Sequence, residues 1–93
     1  MRINISSYGN YSNNYGTNSM RVTIGSLTLY FSYKTVVAFR DGENDLKVIQ
    51  NQWGSTTGKH LNFIDGGNIF KRLPEKEFNE MLKRTLIAHN LEV

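Results

Sequence analysis

The run Gly54-Ser55-Thr56-Thr57-Gly58-Lys59-His60 contains the residue types of a phosphate-binding loop: glycines that let backbone N–H groups approach an anion, and a lysine to neutralise it. The spacing fails twice. Three residues rather than four separate the glycines, and His60 stands where a magnesium-binding hydroxyl belongs. What remains is a hydroxyl-rich turn, with an anion site at a helix N-terminus as the functional alternative. Asp41, Glu43 and Asp45 alternate like the first ligands of a calcium loop, but Leu46 replaces the glycine that its turn requires and Gln52 replaces the closing acid. His60 and His89 have no cysteine partners and no zinc-binding spacing, so neither a metal nor a cofactor is expected. Serine, histidine and aspartate all occur, yet no nucleophile elbow or paired-carboxylate pattern singles any of them out. The expectation is therefore a protein that is not an enzyme and has no catalytic residues. Lys59 and His60 are kept as candidates for ligand contact.

The other unusual chemistry lies near the N-terminus. Residues 6–19 consist only of Ser, Asn, Tyr, Gly and Thr, and Tyr8, Tyr11 and Tyr15 recur within them. Tyrosine among small polar residues is the composition of adaptable binding loops, where rings give contact area at low entropy cost. Stacking on single-stranded bases is the competing use, but no lysine or arginine lies between Arg2 and Arg21 to follow phosphates. The candidate partner-binding set is Tyr8, Tyr11, Tyr15, Arg21, Tyr30, Lys59 and His60. Replacing the three arm tyrosines with serine is expected to weaken partner binding while leaving the melting temperature nearly unchanged.

These residues need a scaffold, and the sequence describes a small α+β one. Residues 1–19 read as an irregular arm because Asn and Gly favour turns over ladders. From Met20 apolar residues alternate, and Gly25-Ser26 suits a two-residue hairpin turn that pairs Val22 with Leu29, Thr23 with Thr28 and Arg21 with Tyr30. A third strand, Thr35 to Arg40, is expected to return with Val37 beside Leu29 and Phe39 beside Leu27. A turn at Asp41 to Asn44 then places Leu46 opposite Phe39 and Val48 opposite Val37. The expected sheet is a four-stranded antiparallel meander over residues 20–51. Residues 52–73 form a loop in which 56–64 can be a short helix, capped by Thr56 or Thr57 and ended by Gly66 or Gly67, or a short strand. Pro74, Glu75, Glu77 and the stripe Phe78, Met81, Leu82, Thr85, Leu86 predict an amphipathic helix over 74–90 that packs on the Leu/Val/Phe face of the sheet. Tyr30, Val36, Ala38 and Ile49 point away from that helix, and the arm, the Trp53 segment or a second protein chain must cover them.

With 93 residues the chain has room for one domain. Eleven basic and eight acidic side chains give a formal charge of +3, and every acid lies at or after Asp41, so the basic bias belongs to the first forty residues. Lys71-Arg72 and Lys83-Arg84 read as solvated surface pairs. The absence of cysteine excludes a disulfide scaffold. Met1 to Ile5 has no apolar leader and no 18-residue apolar run occurs, so no membrane association is expected and the expected location is the cytoplasm.

The segments SNNYG at 12–16, LTLYFSYKTVVAF at 27–39, WGSTTGKHLNFID at 53–65 and RLPEKEF at 72–78 together resemble small proteins encoded by bacteriophages and related mobile elements of Gram-positive bacteria. The resemblance spans most of the chain and implies a setting, the host bacterial cell, more than a mechanism. In such a setting small accessory proteins bind and block host defence machinery, including CRISPR nucleases. The expected function is thus a non-enzymatic protein-binding module of a phage or mobile element, with a host defence component as its partner. A small nucleic-acid-binding accessory protein is the alternative. A homodimer through the second sheet face or the C-terminal apolar residues is a further expectation.

Overall fold

The computed structural model describes residues 3–8, 18–43 and 46–91. It is an α+β fold in which a five-stranded antiparallel sheet packs against the C-terminal helix. The strands follow one another across the sheet in chain order: β1 (Ile3–Ser7), β2 (Met20–Ile24), β3 (Leu27–Ser32), β4 (Thr35–Asp41) and β5 (Lys47–Val48). The helices are α1 (Ser55–Asp65) and α2 (Glu75–Ala88), and a 3₁₀ turn at Ile69–Lys71 lies between them.

The first hairpin has the expected register, with Val22 opposite Leu29 and Arg21 opposite Tyr30. Gly25 takes the positive φ of 60° that the turn demands. Three expectations are corrected. The start of the arm is a strand rather than irregular, because Ile3-Asn4-Ile5-Ser6 already alternates, and β1 pairs along its whole length with β2. The β3–β4 turn is shorter than expected, with Ser32 opposite Thr35, and Leu29 opposes Phe39 rather than Val37. A bulge reconciles the two, since Tyr30 faces Ala38 and Phe31 faces Val36, leaving Val37 as the extra residue. Lastly, Val48 opposes Ala38 and Lys47 opposes Phe39, one residue out from the expected register, with the Ile49 N–H donating to the Val37 carbonyl just beyond the two-residue β5.

Val37, Ala38 and Phe39 are all buried in succession, which requires cover on both faces of the sheet. Phe78 of α2 meets Phe39 edge-on at 5.4 Å, so α2 lies on the Leu29/Phe39 face as expected. Phe78 is fully buried, and Met81, Leu82 and Leu86 pack beside it. The opposite face, that of Tyr30 and Ser32, is covered by α1 together with Tyr8. Residues 56–64 are thus helical, and the face proposed for a dimer partner is filled from within the same chain. Gly66 ends α1 in the left-handed conformation at φ 69°. Neither Thr56 nor Thr57 caps it, since the N-cap is Gly54 without a side-chain bond. Leu73 donates to Val48 and accepts from Gln50, a short parallel bridge that ties the segment entering α2 to the β5 edge. No helix among the described residues is long and apolar enough to cross a membrane.

Candidate functional site

Of the predicted set, the structure brings Tyr8, Tyr30 and His60 together beneath α1. The Tyr8 ring is 3% exposed, and its hydroxyl donates to the Phe31 carbonyl at 2.7 Å. It meets Tyr30 edge-on at 5.4 Å and His60 edge-on at 6.0 Å, and it stacks on Phe63 at 6.0 Å. Its own backbone is held from both sides: Tyr8 N–H donates to the Ser19 carbonyl at 2.9 Å, and the Ser19 hydroxyl donates to the Tyr8 carbonyl at 2.7 Å. Tyr8 is therefore a core residue and not a presented contact ring. Arg21 lies on β2 opposite Tyr30, with its guanidinium 3.3 to 3.4 Å from the Ser6 hydroxyl. Lys59 is exposed on α1. Tyr11 and Tyr15 lie outside the described residues.

His60 is fully buried, and its Nδ1 is 2.8 Å from the Ser32 hydroxyl, which also meets the Thr57 hydroxyl at 2.9 Å. The separation matches that of a serine nucleophile and its base. The setting does not. Ser32 is buried and its oxygen is shared between two partners from α1, so the trio works as a polar bolt between the end of β3 and the helix. The neighbouring cavity, lined by Ser32, Tyr33, Thr35, Val37, Trp53 and Thr57, has a volume of about 110 Å³. Metabolite sites run to roughly 300–1,000 Å³.

Burial lowers the His60 pKa below its usual value. The unfolded chain then takes up a proton near pH 6.5 that the folded chain refuses, so the stabilisation is complete above that pH and is lost as pH falls toward the folded-state value. Thermal melts should therefore show stability declining as pH drops through and below about 6.5. In His60→Asn the decline over that window should flatten, whereas an unchanged slope would show that another group controls it.

A second cluster escaped the sequence reading. Arg72 is buried, with Nε donating to Asp65 Oδ2 at 2.8 Å and Nη2 donating to Asp65 Oδ1 and to Asn62 Oδ1, each at 3.0 Å. This corrects the expectation of a solvated Lys71-Arg72 pair. Burial alone would raise the Asp65 pKa, but the Arg72 guanidinium and the Gly67 N–H outweigh it and hold the carboxyl below its ordinary value. The forked bond fixes the 3₁₀ turn to the end of α1. On that turn Phe70 is 93% exposed, and Ile69 beside it is also exposed. Next to the turn, a groove of about 580 Å³ runs between β5 and α1, with Leu46, Val48, Ile64 and Leu73 on its apolar side and Lys47 and Lys71 among its polar lining. The available signal was the apolar pair Ile69-Phe70 between the glycines at 66 and 67 and Pro74, a place where a loop ordinarily carries polar residues.

Residues 1–80 match the family of unknown function DUF8033. No curated protein and no solved structure matches the chain.

Proposed function

The chain belongs to the DUF8033 family of unknown function, and we propose that it is a non-enzymatic protein-binding module whose contact surface centres on Ile69 and Phe70. The observation that carries this reading is a phenylalanine left almost wholly in water on a turn held by a buried ion pair. Apolar side chains exposed together on a rigid support favour docking, because the area they bury on binding is gained without ordering the turn first. The basic groups Lys47 and Lys71 beside them suit a partner surface with an acidic rim. The phage-like segments point to a host protein as that partner, and a CRISPR nuclease or another defence component is the form to test first. A role in binding nucleic acid draws on the basic first half of the chain, and salt distinguishes it, since phosphate-led binding weakens steeply as salt rises.

Phe70→Ser with Ile69→Ser is expected to leave the melting temperature within a few degrees of wild type, as exposed positions do, while weakening partner binding by about 2 kcal/mol or more. Capture from bacterial host lysate by the tagged chain and by this double variant, compared by mass spectrometry, checks it. Partners retained equally by both would remove the surface from consideration. Capture of nucleic acid that disappears at high salt would favour the alternative.

A further inference from the structure

The sheet has an outer edge at β1, and among the described residues no strand pairs with it. Natural edge strands carry charges, prolines or bulges that prevent another strand from adding to them. Ile3-Asn4-Ile5-Ser6-Ser7 has none of these: its sequence has no charge and no proline, and its pairing with β2 is unbroken. Ile3 and Ile5 are 57% and 62% exposed, and they lie on the same face as their partners Ile24 and Val22, which are only half-buried.

The ladder also shows which backbone groups are left over. Directly opposed residues in an antiparallel pair alternate between those that exchange N–H···O bonds and those that do not. Tyr8 N–H donates to the Ser19 carbonyl directly opposite, so Tyr8, Ser6 and Asn4 turn their backbone groups toward β2. Ile3, Ile5 and Ser7 therefore turn theirs outward.

We propose that β1 pairs with β1 of a second copy, antiparallel and about a two-fold axis at Ile5, continuing the sheet from one protomer into the other. Three features favour a second copy over an unrelated strand. All four strand pairs of the sheet are antiparallel, and a two-fold axis through the β1 edge generates an antiparallel neighbour. Such an axis sets a strand against its own sequence, so a charge in the central part of β1 would face its like; this strand has none, and the pairing carries no like-charge cost. Centring on Ile5 also matches outward residues with outward residues: Ile5 meets its own copy, Ile3 meets Ser7, and each N–H and C=O finds a partner. On one face the isoleucines of both protomers join into one strip. On the other, Asn4 meets Ser6, a compatible polar pair.

Sedimentation of the full chain over a concentration series should show the mass rising from 10.7 kDa toward twice that value. Ile5→Lys places two ammonium groups at the axis and should raise the dimer dissociation constant by at least about tenfold. Ile5→Pro removes an outward N–H while leaving the β1–β2 bonds in place, and it should act in the same direction. Circular dichroism melts verify that both variants fold. Amide exchange supplies the pattern: Ile5 and Ser7 should gain protection with concentration, while Ser6 and Tyr8 are protected throughout. A monomer at every concentration would overturn the proposal. So would a dimer that folded Ile5→Lys leaves intact, or protection of Ile5 and Ser7 that does not depend on concentration.

Discussion

Tyr8→Ala should cost about 3–5 kcal/mol of stability, the range for removing a buried aromatic ring. In a domain of this size that loss lowers the melting temperature by about 12 °C or more. The ring fills the space between β3 and α1, touching Tyr30, His60 and Phe63. Removing it would leave a cavity that the hydrogen-bonded Ser32–Thr57–His60 trio cannot collapse into without breaking its own bonds. Tyr8→Phe keeps the ring and removes only the bond to the Phe31 carbonyl, so it should cost about 1 kcal/mol. Exchange of all three arm tyrosines for serine, expected from sequence to spare the fold, should instead melt at least as early as Tyr8→Ser alone. Denaturant melts of the two single variants check the order, and a Tyr8→Ala protein as stable as wild type would show that the ring is not a core element.

Arg72→Ala should cost about 3–5 kcal/mol, because it leaves the Asp65 carboxylate in a buried site without its counter-charge. The penalty belongs to the broken pair rather than to the worth of the pair itself. Replacing both residues with leucine should therefore recover a large part of the loss, and a double-mutant cycle in urea measures the coupling. Asp65 also has a lowered pKa, so its contribution is present above about pH 4 and is lost as pH falls further. In Arg72→Ala that acid-dependent loss should shrink, since burial then acts on the carboxyl with less opposition and its folded-state pKa rises toward the unfolded value. If Arg72→Ala and the double leucine variant were equally unstable, the guanidinium would be acting through packing alone.

Much of the scaffold could be read from the sequence where two independent signals agreed. The β2–β3 register follows from both the alternation and the glycine in the turn, and α2 follows from a proline, an acidic first turn and an apolar stripe. The reading failed where a single residue of slippage was decided by tertiary contacts. The bulge at Val37 and the offset of β5 carry no local signature, because helices on both faces make every residue from 37 to 39 apolar and erase the alternation. Of the seven candidate residues, Tyr8, Tyr30 and His60 come together beneath α1, but chemistry alone does not distinguish a ring that is presented from one that is enclosed. Phe70 and the Arg72–Asp65 pair were missed for a related reason. Lys-Arg dipeptides are ordinarily solvated, and only the packing of the turn against α1 takes one member of this dipeptide out of water.

The enclosure of Tyr8 also sets a schedule for the growing chain. Its neighbours arrive late: the strand carrying Tyr30 comes well after it, and the lid formed by His60 and Phe63 comes last. At about 5–20 residues per second, the interval between synthesis of residue 8 and residue 63 is about 3–11 s. For that time Tyr8 has no complete socket to enter, and the uncharged, isoleucine-bearing strand before it is open to chaperones and to other nascent chains. Tyr8 is thus made ahead of every ring that encloses it, and it is committed to its place only once α1 has formed.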